Sequence, residues 1–207
     1  MTERNLSKKV FNDILCNYAE EIALPAEKFP KQFFLCPVGL IGAGKSTVLE
    51  HLAKHISIII VSTDDFRQKL KALGYGYESA SDLTFAAVSH FSSKGYSVAL
   101  DTNCGRPEKK QKIENLAREF RAQIIWIHVN PPEQYIKNKL QNFKHTWLFR
   151  DARHGLENYH NYKIAVGREQ TKIPFLFTFD PSRSDLEKQI GEAVLVIKTH
   201  LLREKPS

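Results

Sequence analysis

Cysteine, methionine and tryptophan are scarce in this chain of 207 residues, which holds three, one and two of them. Cys16, Cys36 and Cys104 are odd in number, far apart and in no C-x-x-C arrangement. That excludes a disulfide framework and a thiolate zinc site as readings, and a reducing cytoplasm fits best. No apolar run approaches the roughly twenty residues that a membrane-crossing helix requires. The amino terminus, Met1-Thr2-Glu3-Arg4-Asn5, leads into an amphipathic pattern and not an apolar leader core, so a soluble, unexported protein is expected. Internal repeats and low-complexity tracts are absent, and 42% apolar with 26% charged residues is the composition of a folded globular unit. One domain over residues 1–207 is the expectation. Acidic residues are in deficit, 23 against 30 Lys plus Arg. The excess gathers between Lys137 and Lys172, where Lys137, Lys139, Lys144, Arg150, Arg153, Lys163, Arg168 and Lys172 face only Asp151, Glu157 and Glu169. Such a balance favours anionic ligands without identifying one.

What the chain does have is an alternating rhythm. From Leu6 to Leu24, apolar Val10, Ile14, Leu15, Tyr18 and Ile22 recur at helical spacing before Pro25, predicting a leading helix within an extension of about 1–30. Strand candidates Phe33–Val38, Ile56–Ser62, Ser97–Asp101, Gln123–Val129 and Phe175–Phe179 then alternate with helical stretches. This predicts an α/β fold: a five-stranded parallel sheet with helices on both faces, joined by right-handed crossovers. Unalternating runs such as Ile58-Ile59-Ile60-Val61 suit strands covered on both faces. After Val129, Pro131-Pro132 opens a helix over Glu133–Gln141, and a polar, basic, aromatic stretch follows. A mobile lid over about 142–168 is expected there, with a second helix around Leu156–Val166 and with Arg150 and Arg153 in the loop before it. A last helix, about Asp185 to Leu202, carries Leu186, Ile190, Val194, Ile197 and Leu201 on one face.

Three motifs carry chemistry. Gly39-Leu40-Ile41-Gly42-Ala43-Gly44-Lys45-Ser46-Thr47 fits G-x-x-x-x-G-K-[ST] and lies between the first strand candidate and a helical pattern. Gly39, Gly42, Ala43, Gly44, Ser46 and Thr47 would wrap ATP phosphates in backbone N–H groups. Lys45 would reach the β- and γ-phosphates, and Ser46 would ligate Mg²⁺. At the end of the second strand candidate stands Thr63-Asp64-Asp65-Phe66-Arg67-Gln68. Strand C-termini are where open parallel sheets keep ligands. A carboxylate there can take the proton of an attacking hydroxyl and an arginine can hold an anionic group on the acceptor, although Asp64 or Asp65 could equally cap a helix. Asp101-Thr102-Asn103 ends the third strand candidate. Asp101 is the acid placed to hold Mg²⁺ or its water on the substrate side, with a plain Asp-Thr-Asn turn as the other reading.

Other features read as structural. His51 and His55 share a helix face but have no acidic ligand nearby, so they read as surface residues and not a zinc pair. Tyr75, Tyr77, Phe143, Trp147 and Phe149 read as packing anchors ahead of base-stacking platforms. Arg106, Lys109, Lys110 and Lys112 flank the cleft and read as a solvated helix face ahead of a nucleic-acid track.

Taken together, the phosphate loop, Asp64-Asp65-Phe66-Arg67-Gln68 some twenty residues on, and Asp101-Thr102-Asn103 resemble the ATP-dependent kinases typified by phage-type polynucleotide 5′-hydroxyl kinase, over about Phe33 to Asp180. The resemblance implies a strand order 2-3-1-4-5, Asp64 as general base and Arg67 on a phosphate of the acceptor strand. It also implies that the lid arginines Arg150 and Arg153 clamp the donor phosphates, Arg153 being the better match for the catalytic one. No Asp-x-Asp-x-Thr segment of the accompanying phosphatase half occurs, so an end-healing role would be kinase-only. The expected activity is transfer of the ATP γ-phosphoryl group to a hydroxyl, first of all the 5′ end of a nucleic acid. The alternatives are a small-molecule acceptor (nucleoside, sugar nucleotide or antibiotic) and a non-catalytic ATP-binding regulatory module. Adenine is expected near Asp180-Pro181-Ser182.

Overall fold

The computed structural model describes residues 6–142, 151–166 and 173–203. In chain order these form α1 (Lys8–Glu21), β1 (Phe33–Val38), α2 (Lys45–Ala53), β2 (Ile59–Ser62), α3 (Thr63–Ala72), α4 (Ala80–Ser93) and β3 (Val98–Asp101). There follow α5 (Pro107–Phe120), β4 (Gln123–Val129), α6 (Glu133–Gln141), α7 (Ala152–Val166), β5 (Phe177–Phe179) and α8 (Leu186–Arg203). The five strands pair in parallel in the order β2-β3-β1-β4-β5, the order implied by the resemblance.

Strand alternation divides the core in two. Phe34, Cys36 and Val38 join Ile59, Val61, Val98, Leu100 and Trp126 on one face, covered by α1, α3, α4 and α5. Phe33 and Leu35 join Ala99, Ile125, Ile127 and Phe179 on the other, covered chiefly by α2, α6 and α8. All six residues of β1 are buried, as a central strand between two helical layers requires. Pro37 stands in that central strand, where a missing N–H ordinarily weakens a ladder. The β1–β3 pairs accordingly end at Leu35 opposite Ala99, whereas the β1–β4 pairs run on to Val38 opposite His128. The sheet is therefore unzipped between β1 and β3 on the side from which the phosphate loop emerges.

Several element ends differ from expectation. The second strand begins at Ile59, because Ile56 and Ile58 are buried on the approach, where the Ile58 N–H donates to the Ile56 carbonyl at 2.8 Å. The last strand has only three residues, since Phe175 instead stacks on His128 with ring centroids 4.5 Å apart. Helix α7 starts at Ala152 and not near Leu156, because the Asp151 carboxylate accepts the His154 N–H at 2.8 Å and caps the helix there. Arg153 thus sits on the first helical turn and not in a loop. Arg150, Phe143, Trp147 and Phe149 lie outside the described residues.

Helix α1 is tied to the sheet through Tyr18, 2% exposed, whose ring lies 4.3 Å from that of fully buried Phe66 on α3. Phe66 is the side chain that seats α3 behind its two leading carboxylates. Phe66→Ala is expected to cost about 3–5 kcal/mol of unfolding free energy. Urea denaturation followed by circular dichroism would measure it, and a loss below about 1 kcal/mol would contradict this packing role.

Candidate active site

Five strand ends open on the same side, and the chemistry-bearing residues stand there. Gly44 stands at the N-cap of α2 with φ 98° and offers no side chain to cap it, so the first N–H groups of the helix are left for an anion. Gly42 has φ 81°, also in the left-handed region that favours glycine. The loop has no room for side chains. A Cβ on Gly39 would lie 2.4 Å from the Val129 carbonyl oxygen, and one on Gly42 would press on Ile136 and Leu140 at 3.2 Å. The loop is therefore clamped between the end of β4 and α6. The Lys45 ammonium donates to the Gly39 and Leu40 carbonyls at 3.0 and 2.9 Å. Burial draws its pKa down, against the opposing pull of Asp101 and Asp64.

Asp101 closes β3 directly opposite Ser62, the last residue of β2. Its carboxyl is held above the usual carboxylate value by burial. A hydrogen bond from Ser46 and the Lys45 charge oppose that shift, and Asp64 and Asp65 add to it. The residue expected to ligate a cation from the phosphate loop and the acid expected to share it are thus neighbours in the site. Among the described residues no cluster of three or more His, Cys, Asp or Glu side chains could hold a metal by itself.

The two adjacent carboxylates of α3 have separate fates. Neither caps the helix: the Ser62 hydroxyl does so, accepting the Asp64 N–H at 3.2 Å. Asp64 is half-exposed at the mouth and bonded by the Arg67 guanidinium at 2.7 Å. Asp65 turns toward α1, where the Tyr18 hydroxyl donates to it at 3.4 Å, and burial raises its pKa. The same hydroxyl accepts the Ser62 N–H at 3.4 Å. Of the pair, Asp64 acts on Lys45.

Helix α7 reaches from α6 to the segment just beyond β3. At one end Lys163 and Lys137 both bind Glu133 of α6, at 2.7 and 2.9 Å, and hold its carboxyl down to about 2. On the other side the Tyr162 hydroxyl donates to the Asn103 side-chain oxygen just beyond β3. Arg153 is exposed on the first turn of α7, and nothing among the described residues ties it to the phosphate loop.

Two lysines are placed otherwise than the sequence suggested. Lys139 of α6 brings its ammonium to 4.0 Å from a Cβ position on Gly44, over the phosphate loop, with its pKa lowered by burial. In sequence it was one of the eight basic residues between Lys137 and Lys172, and only its three-residue spacing from buried Ile136 marked its facing. Of the basic residues at the start of α5, Lys110 and Lys112 pair outward with Glu114 and Asp82. Lys109 turns inward and donates to the Thr102 hydroxyl, against the expectation of a wholly solvated face. His51 pairs with Glu187 at 2.6 Å, in keeping with a structural role. Pro181 lies against Gly44, its Cγ 3.3 Å from a Cβ position there, which brings the segment expected near adenine to the loop. Among the described residues no helix is long and apolar enough to cross a membrane.

Solved structures share this fold. A candidate kinase of Chloroflexus aurantiacus aligns with 82% of this chain and 98% of its own at 16% identity and TM-score 0.63. A structure from the PezAT chromosomal toxin-antitoxin system of Streptococcus pneumoniae aligns with 97% of this chain and 99% of its own, at 15% identity and TM-score 0.61. The Mycobacterium tuberculosis APS kinase CysC, in complex with AMPPNP and APS, aligns with 82% of this chain and 99% of its own, at 17% identity and TM-score 0.52. At such identities the likeness is one of fold, a phosphate-loop fold of the kind found in kinases. No curated protein matches the chain. The family model AAA_33, described as an AAA domain, matches residues 35–147. That match takes in the phosphate loop, both acidic strand ends and α6, more than half of the sequence, and the chain therefore belongs to this AAA domain family.

Proposed function

We propose that the protein is an ATP-dependent kinase that transfers the γ-phosphoryl group to a hydroxyl, and that its acceptor is the 5′-hydroxyl of a polynucleotide. The observation that carries the reading is that Asp64 and Asp101, at the ends of neighbouring strands, both lie in the field of the phosphate-loop Lys45. A nucleotide switch needs the loop but has no need of an acceptor-side base.

On this reading the loop amides from Gly39 to Gly44 and the first turn of α2, with Thr47, hold the donor phosphates, and Lys45 exchanges its two carbonyl partners for phosphate oxygens. Ser46 and Asp101 would hold Mg²⁺, which when bound would offset the charge of the phosphates. Asp64 accepts the proton of the attacking hydroxyl, and Arg67 holds an acceptor phosphate beside it. Lys139 adds positive charge from the α6 side of the loop. Arg153, with Arg150, belongs to the lid and reaches the donor when α7 settles further onto the cleft, excluding water that would otherwise compete as acceptor. Donor grip, base and lid act as one phosphotransferase domain in a cytoplasmic setting.

The 5′-hydroxyl oligonucleotide preference rests on the Asp64-Asp65-Phe66-Arg67-Gln68 resemblance and on the cationic mouth. Incubation with γ-labelled ATP tests it: label is expected on a 5′-hydroxyl oligonucleotide, and label on a nucleoside or sugar nucleotide alone would transfer the reading to a small-molecule kinase. Asp64→Asn is expected to lower kcat/KM by about 10²–10⁴ while ATP is still bound. An active Asp64→Asn beside an inactive Asp65→Asn would assign the base to the neighbouring carboxylate. Lys139→Ala is expected to raise the KM for ATP about tenfold with less effect on the acceptor KM, and steady-state kinetics with each substrate varied in turn would show the reverse pattern if Lys139 served the acceptor.

A further inference from the structure

The two acids at the strand ends stand next to a buried chain of hydroxyls. Thr63 precedes Asp64, and Thr102 follows Asp101. The β2–β3 ladder ends on Ser62 opposite Asp101, and one residue further along each strand the Thr63 and Thr102 hydroxyls lie 2.9 Å apart. A side-chain rung thus continues the pairing where α3 has left the sheet. Thr84 of α4 joins it, its hydroxyl 3.0 Å from that of Thr63 and 2.7 Å from the Ala80 carbonyl. Lys109 of α5 donates to Thr102 at the other end. Thr63, Thr102 and Thr84 are 4%, 6% and 0% exposed, so bulk water does not compete for these bonds.

One proton per hydroxyl gives this chain a single direction. A hydroxyl can donate once and accept as well, whereas the Ala80 carbonyl only accepts and the Lys109 ammonium only donates. Thr84 therefore gives its proton to Ala80 and accepts from Thr63, Thr63 accepts from Thr102, and Thr102 accepts from Lys109. Every hydroxyl then donates once and accepts once. Run the other way, Thr84 would owe one proton to two acceptors, and the Thr102 proton would have no partner along the chain. Buried chains of this kind polarise along their length. Deleting one hydroxyl leaves its neighbours short of a partner where water does not replace it.

The two acids differ in how they are held. Asp101 is the last residue of β3 and is paired there with Ser62. Asp64 stands on a helix, and the first residue of that helix is Thr63. Tyr18 grips α3 through Asp65 and Phe66, and the hydroxyl chain ties its first residue to the end of β3. We propose that Thr84, acting through Thr63 and Thr102, is a positioning residue that sets the distance of Asp64 from Asp101. It thereby sets the line along which a hydroxyl beside Asp64 approaches the donor phosphate. Being fully buried, Thr84 reaches neither nucleotide nor acceptor. The inference rests on the phosphoryl-transfer reading for the role of Asp64, while the clamp itself is a property of the free protein.

Thr84→Val keeps the shape of the side chain and removes its hydroxyl. With γ-labelled ATP and a 5′-hydroxyl oligonucleotide, kcat is expected to fall about 10- to 100-fold, the cost of misplacing a reacting group by up to about 1 Å. The KM for ATP is expected to stay within about twofold, because among the described residues no bond of the chain reaches the phosphate loop. Thr84→Ser should restore most of kcat. In an Asp64→Asn background the further loss from Thr84→Val should shrink to about twofold, since the group being positioned is already disabled. A folded Thr84→Val with native kcat, or the same loss in both backgrounds, overturns the proposal. A merely structural threonine would lower the melting temperature and leave these ratios alone. Where Thr84→Val does not fold, Thr63→Val breaks the chain at its middle and is put through the same comparison. Should the native protein label no acceptor, the phosphoryl-transfer reading fails, and amide hydrogen exchange on the free protein decides the clamp. Faster exchange in Thr84→Val confined to the first turn of α3 and residues 102–104, and reversed in Thr84→Ser, supports it, whereas unchanged exchange there overturns it.

Discussion

The fold is organised around a charge problem at the open ends of its strands. Lys45 and Asp101 are both withdrawn from water, and burial pushes each toward its neutral form, the lysine down and the carboxyl up. Their mutual attraction opposes that shift without removing it, and Asp64 and Asp65 add like charge on the acidic side. On the proposed reading a phosphate chain with Mg²⁺ would complement this arrangement, with anions for Lys45 and the N-terminus of α2 and a dication for Asp101 and Ser46. Preorganised charge of this kind needs little rearrangement when the ligand arrives, and in phosphoryl transfer most of the protein's contribution is positioning and electrostatics.

Backbone geometry makes the charge arrangement sustainable. The β1–β3 ladder ends early, at Leu35, and Pro37 supplies no donor to extend it. The gap is filled by a loop whose glycines approach Val129, Ile136 and Leu140 too closely for side chains. Because α6 forms one wall of the loop, Lys139 comes over the phosphate site as a consequence of the packing of Ile136 and Leu140. Helix α7 is in turn fixed to α6 through Glu133 and to the end of β3 through Tyr162. The phosphate loop, α6, α7 and the end of β3 are thus joined by a continuous set of contacts.

Local sequence recorded the sheet well because buried parallel strands have a strong signature: Phe33–Val38 and Gln123–Val129 are long apolar runs and were legible end to end. Short edge elements were not, since β5 consists of three residues and its apolar approach belongs to packing on His128. The phosphate loop was legible because its function dictates spacing within a single segment. Lys109 and Lys139 were not, because facing depends on which neighbours a helix packs against. Lys109 differs from Lys110 and Lys112 only in pointing at Thr102 while they point at acids on the surface. A side chain's exposure is a tertiary fact, and charge runs in sequence overstate how much of a helix is solvated.

The paired carboxylates show how tertiary contacts distinguish residues that sequence leaves equivalent. Asp64 and Asp65 are adjacent, alike in chemistry and both in the first turn of α3. Alpha-helical geometry sends their side chains about 100° apart, so one can face the cleft only if something occupies the other. Tyr18 of α1 does so: its hydroxyl donates to Asp65 and accepts from the Ser62 N–H, and its ring packs on Phe66. The amino-terminal helix therefore has a part in the site without touching the phosphates. It fixes the rotation of α3, leaving Asp64 at the mouth beside Arg67, and it does so from the residue that most strongly anchors α1 to the core.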